Sequence, residues 1–170
     1  MKNTSQENSS ENVQKLGEKI KDVKIAMLTT IAANGDVESC PMMTQEVDFD
    51  GSLWFFTRKS SKKVEHIEKK PQVNVVYSKP DDQLYVSVSG RAELVLDKAK
   101  IDELWTPSLK AWFEKGKEDP EVSLIRVDVE SAEYWDTPSS AVVRIVGFAK
   151  SVLTGKPAGS MGEHEKLEIH

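Results

Sequence analysis

Two tight-turn dipeptides, Asn34-Gly35 and Asp50-Gly51, divide the first third of the chain into short strand-like segments. Both are typical of two-residue hairpin loops, because a type I′ turn needs a positive φ at its two central residues. Around the turns, residues are apolar at nearly every position or alternate with polar ones; these segments are Ile25–Ile31, Val37–Phe49 and Leu53–Thr57. The pattern predicts three strands in an antiparallel meander rather than a parallel sheet with crossover helices.

The rest of the chain interleaves strand and helix patterns. Alternation predicts strands over Val73–Tyr77, Leu84–Leu96 and Val122–Trp135, with a bulge or bend at Gly90, and Leu167 with Ile169 can add an edge strand. Helices are expected after a cap at Ser9 or Ser10, over Ser60–Lys69, after a cap at Asp97, after a restart at Pro107, and over Ser139–Leu153. About six strands in hairpins therefore predict a mainly β fold, an antiparallel sheet closed into a small barrel with peripheral helices.

Length and composition limit the class of protein. The 170 residues suffice for a single domain, which we place at residues 12–170 after a flexible polar tail at 1–11. One cysteine excludes a disulfide framework or a cysteine-rich zinc site, and a net charge of -5 argues against a surface built to neutralise nucleic-acid phosphates. No segment has the apolar length of a membrane span or the pattern of a secretory signal, so we expect a soluble cytoplasmic protein.

The sequence contains no glycine-rich nucleotide loop, catalytic-serine motif or metal-binding motif. His66, His164 and His170 are too widely spaced for a metal site, and His66 is expected to be a solvated helix residue. Cys40 has no evident histidine base, which favours a small, half-buried residue over a nucleophile. Chemistry carried by the side chains alone is therefore not predicted.

The basic segment from Arg58 to Lys70 is the main candidate for a binding site. It contains six lysine or arginine residues against two glutamates. Lys62 and Lys63 fall in the first turn of the predicted helix, where cations are unfavourable unless an anion offsets them. With the hydroxyls of Ser60 and Ser61 and the free backbone N–H groups, they would form a phosphate-sized anion site. A solvated basic face that happens to begin a helix explains the same pattern equally well.

Three consecutive aromatic residues, Trp54, Phe55 and Phe56, precede this segment. Alternation along a strand requires at least one of them to face away from the barrel interior. All three can be core residues under other elements. Alternatively, the outward one contacts a flat ligand ring or a second subunit.

The motifs of this region resemble a known family. The run L-W-F-F-T-x-x-S-S-K-K-x-x-x-I at 53–67, followed by P-x-V-x-V-x-Y at 71–77, is similar to the pyridoxamine-phosphate-oxidase-like flavin-binding split barrels. Segments that resemble the general stress protein 26 subgroup are Tyr85–Glu93, Asp97–Lys100, Glu103–Pro107, Lys110–Phe113 and Ala132–Asp136. The resemblance implies a six-stranded antiparallel split β-barrel that forms a homodimer, with FMN, or alternatively FAD, in the clefts between the subunits.

The resemblance also implies three groups of flavin contacts. The family's phosphate-binding positions match Thr57, Ser61, Lys62 and Lys63, in agreement with the anion site predicted from the helix terminus. The strand that runs along the flavin matches Phe56 and Thr57. An R-P-M segment of the family matches Cys40, Pro41 and Met42, with Met42 bordering the ring. Trp135, or Trp105 of the partner subunit, would cover the ring.

Two departures from the family pattern bear on function. Cys40 replaces an arginine that normally contacts the phosphate, and one charge-assisted contact contributes about 1.5–3 kcal/mol, so FMN affinity is expected to fall by about tenfold or more. The segment Gly162–His170 lacks the arginine/histidine substrate segment of true pyridoxamine-phosphate oxidases. Synthesis of vitamin B6 is therefore not expected.

Three hypotheses follow for the function. The first is a flavin-binding protein of the general stress type, in which FMN or FAD supplies the redox chemistry. The second is a non-catalytic dimeric module that has lost tight flavin binding, which Cys40 favours. The third is nucleic-acid binding by the basic segment and its aromatic neighbours, which the negative net charge and the interleaved glutamates disfavour.

Overall fold

A computed structural model describes residues 3–45, 47–137 and 163–169 of the chain. Three α-helices are described: α1 (Asn3–Ile20), α2 (Lys62–Lys69) and α3 (Lys98–Leu104). The described strands are β1 (Ile25–Ile31), β2 (Val37–Met43), β3 (Ser52–Arg58), β4 (Gln72–Lys79), β5 (Leu84–Val95), β6 (Val122–Asp136) and β7 (Glu163–Glu168). Short 3₁₀ helices lie at Pro80–Asp82, Pro107–Ala111 and Gly116–Glu118. The helix expected over Ser139–Leu153 lies outside the described residues.

All described strand pairs are antiparallel and belong to one curled sheet with the order β2-β1-β4-β5-β6-β3, while β7 pairs with β6. The expected split barrel with peripheral helices is therefore confirmed. The edge strand expected at Leu167 and Ile169 is also confirmed, since β7 contains Leu167 and the Ile169 amide donates to the Glu130 carbonyl at 2.9 Å. No described helix is both long enough and apolar enough to cross a membrane.

The predicted meander of the first three strands is wrong. In the described sheet β2 pairs only with β1, and β3 pairs only with β6. The Asp50 carboxylate accepts a hydrogen bond from the Ser52 amide, and the Gly51 carbonyl accepts one from Val129 of β6. The Asp50-Gly51 turn therefore begins β3 on the β6 ladder and does not return the chain onto β2.

The Asn34-Gly35 hairpin is confirmed, but its turn type differs from the prediction. Only Gly35 has a positive φ, at +95°. The Gly35 amide donates to the Ala32 carbonyl, and the Ala32 amide to the Asp36 carbonyl. This is a three-residue loop with glycine in the left-handed position, which is the next commonest hairpin connection.

Helix α1 begins at Asn3, so Ser9 and Ser10 lie within it and the expected cap at these serines is wrong. The Ser9 hydroxyl instead donates to the Ile169 carbonyl. The predicted apolar stripe is confirmed, because Leu16 and Ile20 are buried against the sheet. The division into a flexible tail at 1–11 and a domain at 12–170 stays a prediction.

Two apolar clusters show which way each of the aromatic residues Trp54, Phe55 and Phe56 points. Phe55 lies in the main cluster, between α1 and the inner face of the sheet. Trp54 and Phe56 point to the other face and pack against a smaller cluster under α3; its buried members are Ile101, Leu104, Phe113, Val122 and Leu124. Alternation along β3 therefore places Phe56 outside the barrel interior, as predicted, with its own-chain neighbours covering part of the ring.

A β-bulge lies between Ser89 and Gly90, where the register of β5 on β6 shifts. The bulge predicted at Gly90 is thereby confirmed. A Cβ atom on Gly90 would lie 2.3 Å from the Asp128 carbonyl oxygen, closer than van der Waals contact allows. Only glycine lets the two backbones approach this closely.

A cluster of opposite charges fastens β7 to α1. Lys15 forms ion pairs with Glu163 and Glu165, and Lys19 pairs with Asp136 and Glu163. At the centre of the cluster lies the Tyr134 ring, with the Lys19 ammonium 4.6 Å from its centroid. The Tyr134 hydroxyl donates to Glu165 at 3.0 Å.

The wild-type protein is expected to be more stable than the Glu163→Gln variant near neutral pH, and this difference is expected to shrink in acid. The pKa of Glu163 is lowered from 4.5 to about 2, first by the neighbouring Tyr134 hydroxyl and then by the ammonium groups of Lys19 and Lys15. Such a carboxylate contributes stability that is present above pH 4.5 and is lost as the pH falls towards 2. The melting temperature of the wild type should therefore exceed that of the variant near neutral pH, by a margin that shrinks in acid. Glu168→Gln, at the exposed end of β7, serves as the control, and a constant margin for Glu163→Gln would contradict the prediction.

Candidate functional site

A pocket of about 300 Å³ lies where the C-terminal end of β3 and the start of α2 meet β1, β2 and the 107–113 segment. We call it the β3–α2 pocket. Its lining residues are Ile25, Pro41, Met43, Phe56, Thr57, Arg58, Ser61, Lys63, Leu109, Trp112 and Phe113. Five of the residues predicted or implied for a cofactor site meet here: Pro41, Phe56, Thr57, Ser61 and Lys63.

Hydroxyl and ammonium groups converge at one side of this pocket. Thr57, the penultimate residue of β3, is only 4% exposed, and its Oγ1 lies 3.2 Å from the Ser61 hydroxyl. The Lys63 ammonium lies 3.5 Å from the same Thr57 oxygen. Ser61 is the N-cap residue of α2, yet its side chain makes no capping hydrogen bond and instead contacts the Thr57 hydroxyl in the pocket. Backbone N–H groups of the first turn add a partial positive charge.

Lys62 and Ser60 lie beside the pocket rather than in its lining. Lys62 is exposed, and its ammonium pairs with Glu38 of β2, which raises the pKa of Lys62. The Ser60 hydroxyl and amide both donate to the Glu121 carboxylate. The structure thus separates two adjacent lysines: Lys63 faces the pocket without an ion pair to any described carboxylate, whereas Lys62 is paired.

Strand β2 contributes Pro41 and Met43, while Met42 points into the main apolar cluster and is buried. Because side chains alternate along a strand, Cys40 shares the inner side with Met42, and the two sulfur atoms are 3.8 Å apart. Cys40 is half-buried, as predicted. Burial raises the pKa of its thiol, and the positive charge of Lys63 opposes that shift. A thiolate at this position is therefore disfavoured.

Aromatic residues form the opposite wall. The Phe56 ring makes edge-to-face contacts with Trp105, at 5.7 Å between centroids, and with Phe113, at 6.5 Å. Trp105 is thus packed within its own chain. Leu109 and Phe113 are buried, whereas Trp112 is 62% exposed. The sequence pattern predicted a helix after Pro107 and did not indicate that Trp112 lines a pocket. The segment is instead a 3₁₀ helix, Pro107–Ala111, and Trp112 follows it as the C-cap residue.

Trp135 lies at the other end of β6, twelve residues beyond Ser123, the partner of Thr57. At about 3.3 Å per residue this corresponds to roughly 40 Å along the strand. Its ring is 40% exposed and stacks on His164 at 5.2 Å between centroids. Within one chain, Trp135 and the β3–α2 pocket are therefore apart.

His66 is not solvated, and this prediction is wrong. It is only 4% exposed, and its Nδ1 lies 2.9 Å from the Thr30 hydroxyl of β1. Since α2 packs its inner face on β1, this pair fixes the helix whose first turn borders the pocket. Among the described residues, no group of three or more histidine, cysteine, aspartate or glutamate side chains could hold a metal ion.

The arrangement can bind an anion joined to a flat apolar group. Thr57, Ser61 and Lys63 offer donors for the anion, while Ile25, Pro41 and Phe56 offer apolar surface beside it. The described lining contains no carboxylate, imidazole or phenol. Lys63 is therefore the only residue of the described lining that belongs to a type commonly used for proton transfer, and any redox step would depend on a bound group.

Comparison with known proteins gives consistent matches. The model of the family described as pyridoxamine 5′-phosphate oxidase like matches residues 11–158. The protein bli-3 of Neurospora crassa is 31% identical over 145 residues, which are 79% of this chain and 69% of that protein.

Solved structures match over most of the fold. A Jannaschia structure named after general stress protein 26 has a TM-score of 0.72 and 27% identity, and the match covers 94% of this chain and 99% of that one. The general stress FMN/FAD binding protein of Xanthomonas citri has a TM-score of 0.67 and 32% identity, with 77% and 92% covered. The structural neighbours are thus split barrels of the same kind.

Proposed function

The chain belongs to the pyridoxamine 5′-phosphate oxidase-like family, and from that premise we propose that it binds FMN in the β3–α2 pocket. The observation that carries the proposal is the convergence of Thr57, Ser61 and Lys63 on one point at the N-terminus of α2. An ammonium with no carboxylate partner among the described residues, beside two hydroxyls and a helix N-terminus, is suited to a phosphate.

The residues fit a phosphorylated flavin. The two hydroxyls and Lys63 would hold the phosphate, and Phe56 with Pro41 would border the ring system. Lys62 would contribute to the positive field from outside, and Met42 would support the β2 wall from beneath. Cys40, on the inner side of β2 and outside the described lining, would add no strong hydrogen bond to the phosphate.

A homodimer would complete the site. The outer face of β1 exposes Ile25 and Met27, and Val37 of β2 is exposed on the same side. Trp135 and Tyr85, cross-strand neighbours on β6 and β5, lie on this same face of the sheet and are also exposed. A second copy packed on this face would bury the apolar surface and could bring its own Trp135 over the flavin.

When bound, FMN supplies hydride or single-electron chemistry. The chain would contribute binding, orientation and exclusion of water, because the described lining holds no carboxylate, imidazole or phenol. We therefore propose a flavin-dependent oxidoreductase of the general stress type, acting in the cytoplasm, that does not oxidise pyridoxamine phosphate.

The test is a fluorescence titration of flavin-stripped full-length protein with FMN, FAD and riboflavin. Tight FMN binding with much weaker riboflavin binding would support the phosphate site. Equal and weak binding of all three flavins would overturn it, since riboflavin has no phosphate.

A second candidate, a non-catalytic dimeric module, is favoured by one observation: the position of Cys40. A thiol beside Lys63 replaces a residue that could form a fork-shaped contact with phosphate. In this case the barrel and the dimer are retained, while flavin binding is weak at cellular concentrations.

Cys40→Arg is expected to tighten FMN binding by about tenfold or more, because a guanidinium adds a charge-assisted contact of about 1.5–3 kcal/mol. The measurement is the dissociation constant for FMN and, in parallel, for riboflavin, which should not change. Cys40→Gln, which adds a polar but uncharged side chain, is the matched control. An FMN affinity that does not differ between the arginine and glutamine variants would show that Cys40 does not limit binding.

A further inference from the structure

We infer that a second pocket, separate from the β3–α2 pocket, binds a small uncharged molecule that carries a carbonyl oxygen on an apolar body. It lies between α1, the loop at 47–49 and β3, and has a volume of about 230 Å³. We call it the α1–β3 pocket. The two pockets share no lining residue, so this inference does not depend on flavin binding.

Strand β3 separates the two pockets. Its side chains alternate between the faces of the sheet, so Phe55 lines the α1–β3 pocket whereas Phe56 lines the β3–α2 pocket. Phe55 belongs to the main apolar cluster together with Leu53 and Ile20 of α1, and all three line the α1–β3 pocket. Their side chains offer no hydrogen-bond donor or acceptor, so this wall suits the apolar part of a ligand.

Tyr77 of β4 adds a polar group to this apolar wall. It is only 2% exposed, and its hydroxyl forms no hydrogen bond with any residue that the structure describes. Among the described side chains, only Arg126 Nε is both fully enclosed and without a hydrogen bond, so the Tyr77 hydroxyl is open to the pocket that Tyr77 lines. Burial raises the pKa of Tyr77, so the hydroxyl stays protonated and can donate.

An unpaired hydroxyl is unusual in a buried tyrosine, because removing a polar group from water without giving it a partner is unfavourable. Tyr134, which is fully buried, follows the usual pattern and donates to Glu165 at 3.0 Å. The contrast indicates that the hydroxyl of Tyr77 takes its partner from a molecule in the pocket.

A water molecule at this hydroxyl would have few other partners. An ordered buried water needs about two to four polar partners. The lining hydroxyls of Thr44 and Ser52 already donate to other groups, the Val23 carbonyl and the Asp128 carboxylate. A ligand oxygen attached to an apolar body satisfies the Tyr77 hydroxyl and covers the apolar wall at the same time.

Charge and size define the class of ligand. The one basic residue of the described lining, Lys21, is exposed and pairs with Glu18 at 2.6 Å, while the exposed Asp48 adds a negative charge. An anion therefore finds no unpaired cation there. A cavity of about 150 Å³ accepts benzene, so the larger volume here accommodates one ring with a short substituent. A carbonyl on that substituent accepts from Tyr77 and brings no donor that would need a partner.

The experiment measures dissociation constants of acetophenone and of ethylbenzene on the full-length protein by NMR titration. The two probes are similar in size, but only acetophenone has a carbonyl oxygen. Tyr77→Phe should bind acetophenone about three- to tenfold more weakly than the wild type, the range of one neutral hydrogen bond, and ethylbenzene within about twofold. Tyr85→Phe, which removes the hydroxyl of an exposed tyrosine outside the lining, is the matched control.

Melting temperatures of the ligand-free proteins give an independent readout. Tyr77→Phe should melt no lower than the wild type, because the hydroxyl that it removes has no partner among the described residues. A clearly lower melting temperature would show that the protein itself holds this hydroxyl, and would overturn the inference. Absence of acetophenone binding, or equal acetophenone affinity of the wild type and Tyr77→Phe, would overturn it as well. None of these results bears on flavin binding, which the titration with FMN tests separately.

Discussion

Replacing Lys63 with alanine is expected to weaken FMN binding by about tenfold to a hundredfold and to leave riboflavin binding unchanged. The reason is that Lys63 is a pocket-lining ammonium without a described carboxylate partner, 3.5 Å from the Thr57 hydroxyl. Removing it takes away the ammonium next to the Thr57 and Ser61 hydroxyls and leaves Arg58 as the one cation in the described lining. The measurement is a parallel titration of wild type and variant with FMN and riboflavin, because only FMN carries the charge that Lys63 would contact.

Lys62→Ala is the matched control for this experiment. The two lysines are adjacent and both belong to the first turn of α2, but Lys62 is paired with Glu38. Its loss should lower FMN affinity only severalfold, through the weaker field, and the effect should disappear at high salt. Equal losses for the two variants would mean that the basic segment acts as a diffuse positive surface and not as a built phosphate site.

Gly90→Ala is expected to lower the free energy of unfolding by about 3 kcal/mol, with a melting temperature lower by about 6–12 °C. The added Cβ would meet the Asp128 carbonyl oxygen at 2.3 Å and the Val127 side chain at 3.2 Å. Because the clash is with backbone of β6, no flexible side chain can move to relieve it. Thermal and urea unfolding monitored by circular dichroism check the prediction.

Gly35→Ala separates this steric effect from the general cost of replacing glycine. Gly35 has a φ of +95° but nothing within 4 Å of its added Cβ. The variant should cost about 1–2 kcal/mol, the cost of a left-handed conformation for an L-residue. A Gly90→Ala variant no less stable than Gly35→Ala would show that the bulge can open to admit a methyl group.

The strands with clear period-two patterns were predictable from the sequence, whereas their pairing was not. The alternation in β4, β5 and β6 reflects one buried face, which any neighbouring strand would satisfy. Asp50-Gly51 has the composition of a hairpin turn, but the partner of β3 is decided by long-range burial of Leu53 and Phe55 opposite Ile125 and Val127. A local turn signal contains no information about such a pairing.

The sequence also did not reveal on which side of α2 each candidate site residue lies. The sequence places Lys62 and Lys63 in one turn of α2. Only the position of β2 decides that Lys62 pairs with Glu38 whereas Lys63 lines the pocket. His66 was predicted to be solvated because histidine is polar, yet Thr30 gives it a hydrogen-bond partner inside the protein. The place of Ser61 at the N-cap of α2 was predictable because capping positions leave recognisable residues, whereas Thr57 was assigned to the phosphate only through the family resemblance.

The β3–α2 pocket takes its walls from β2 and β3, the two ends of the hydrogen-bonded order, and no described ladder joins them. A ligand that contacts both strands therefore bridges β2 and β3 at the place where the sheet does not close. Amide hydrogens along these two outer strands should exchange more slowly with deuterium once the ligand is bound, while those of β4 and β5, paired on both sides, should keep their rates. Dissociation of the ligand would then require β2 and β3 to move apart. The dissociation rate therefore reports how readily these two strands separate.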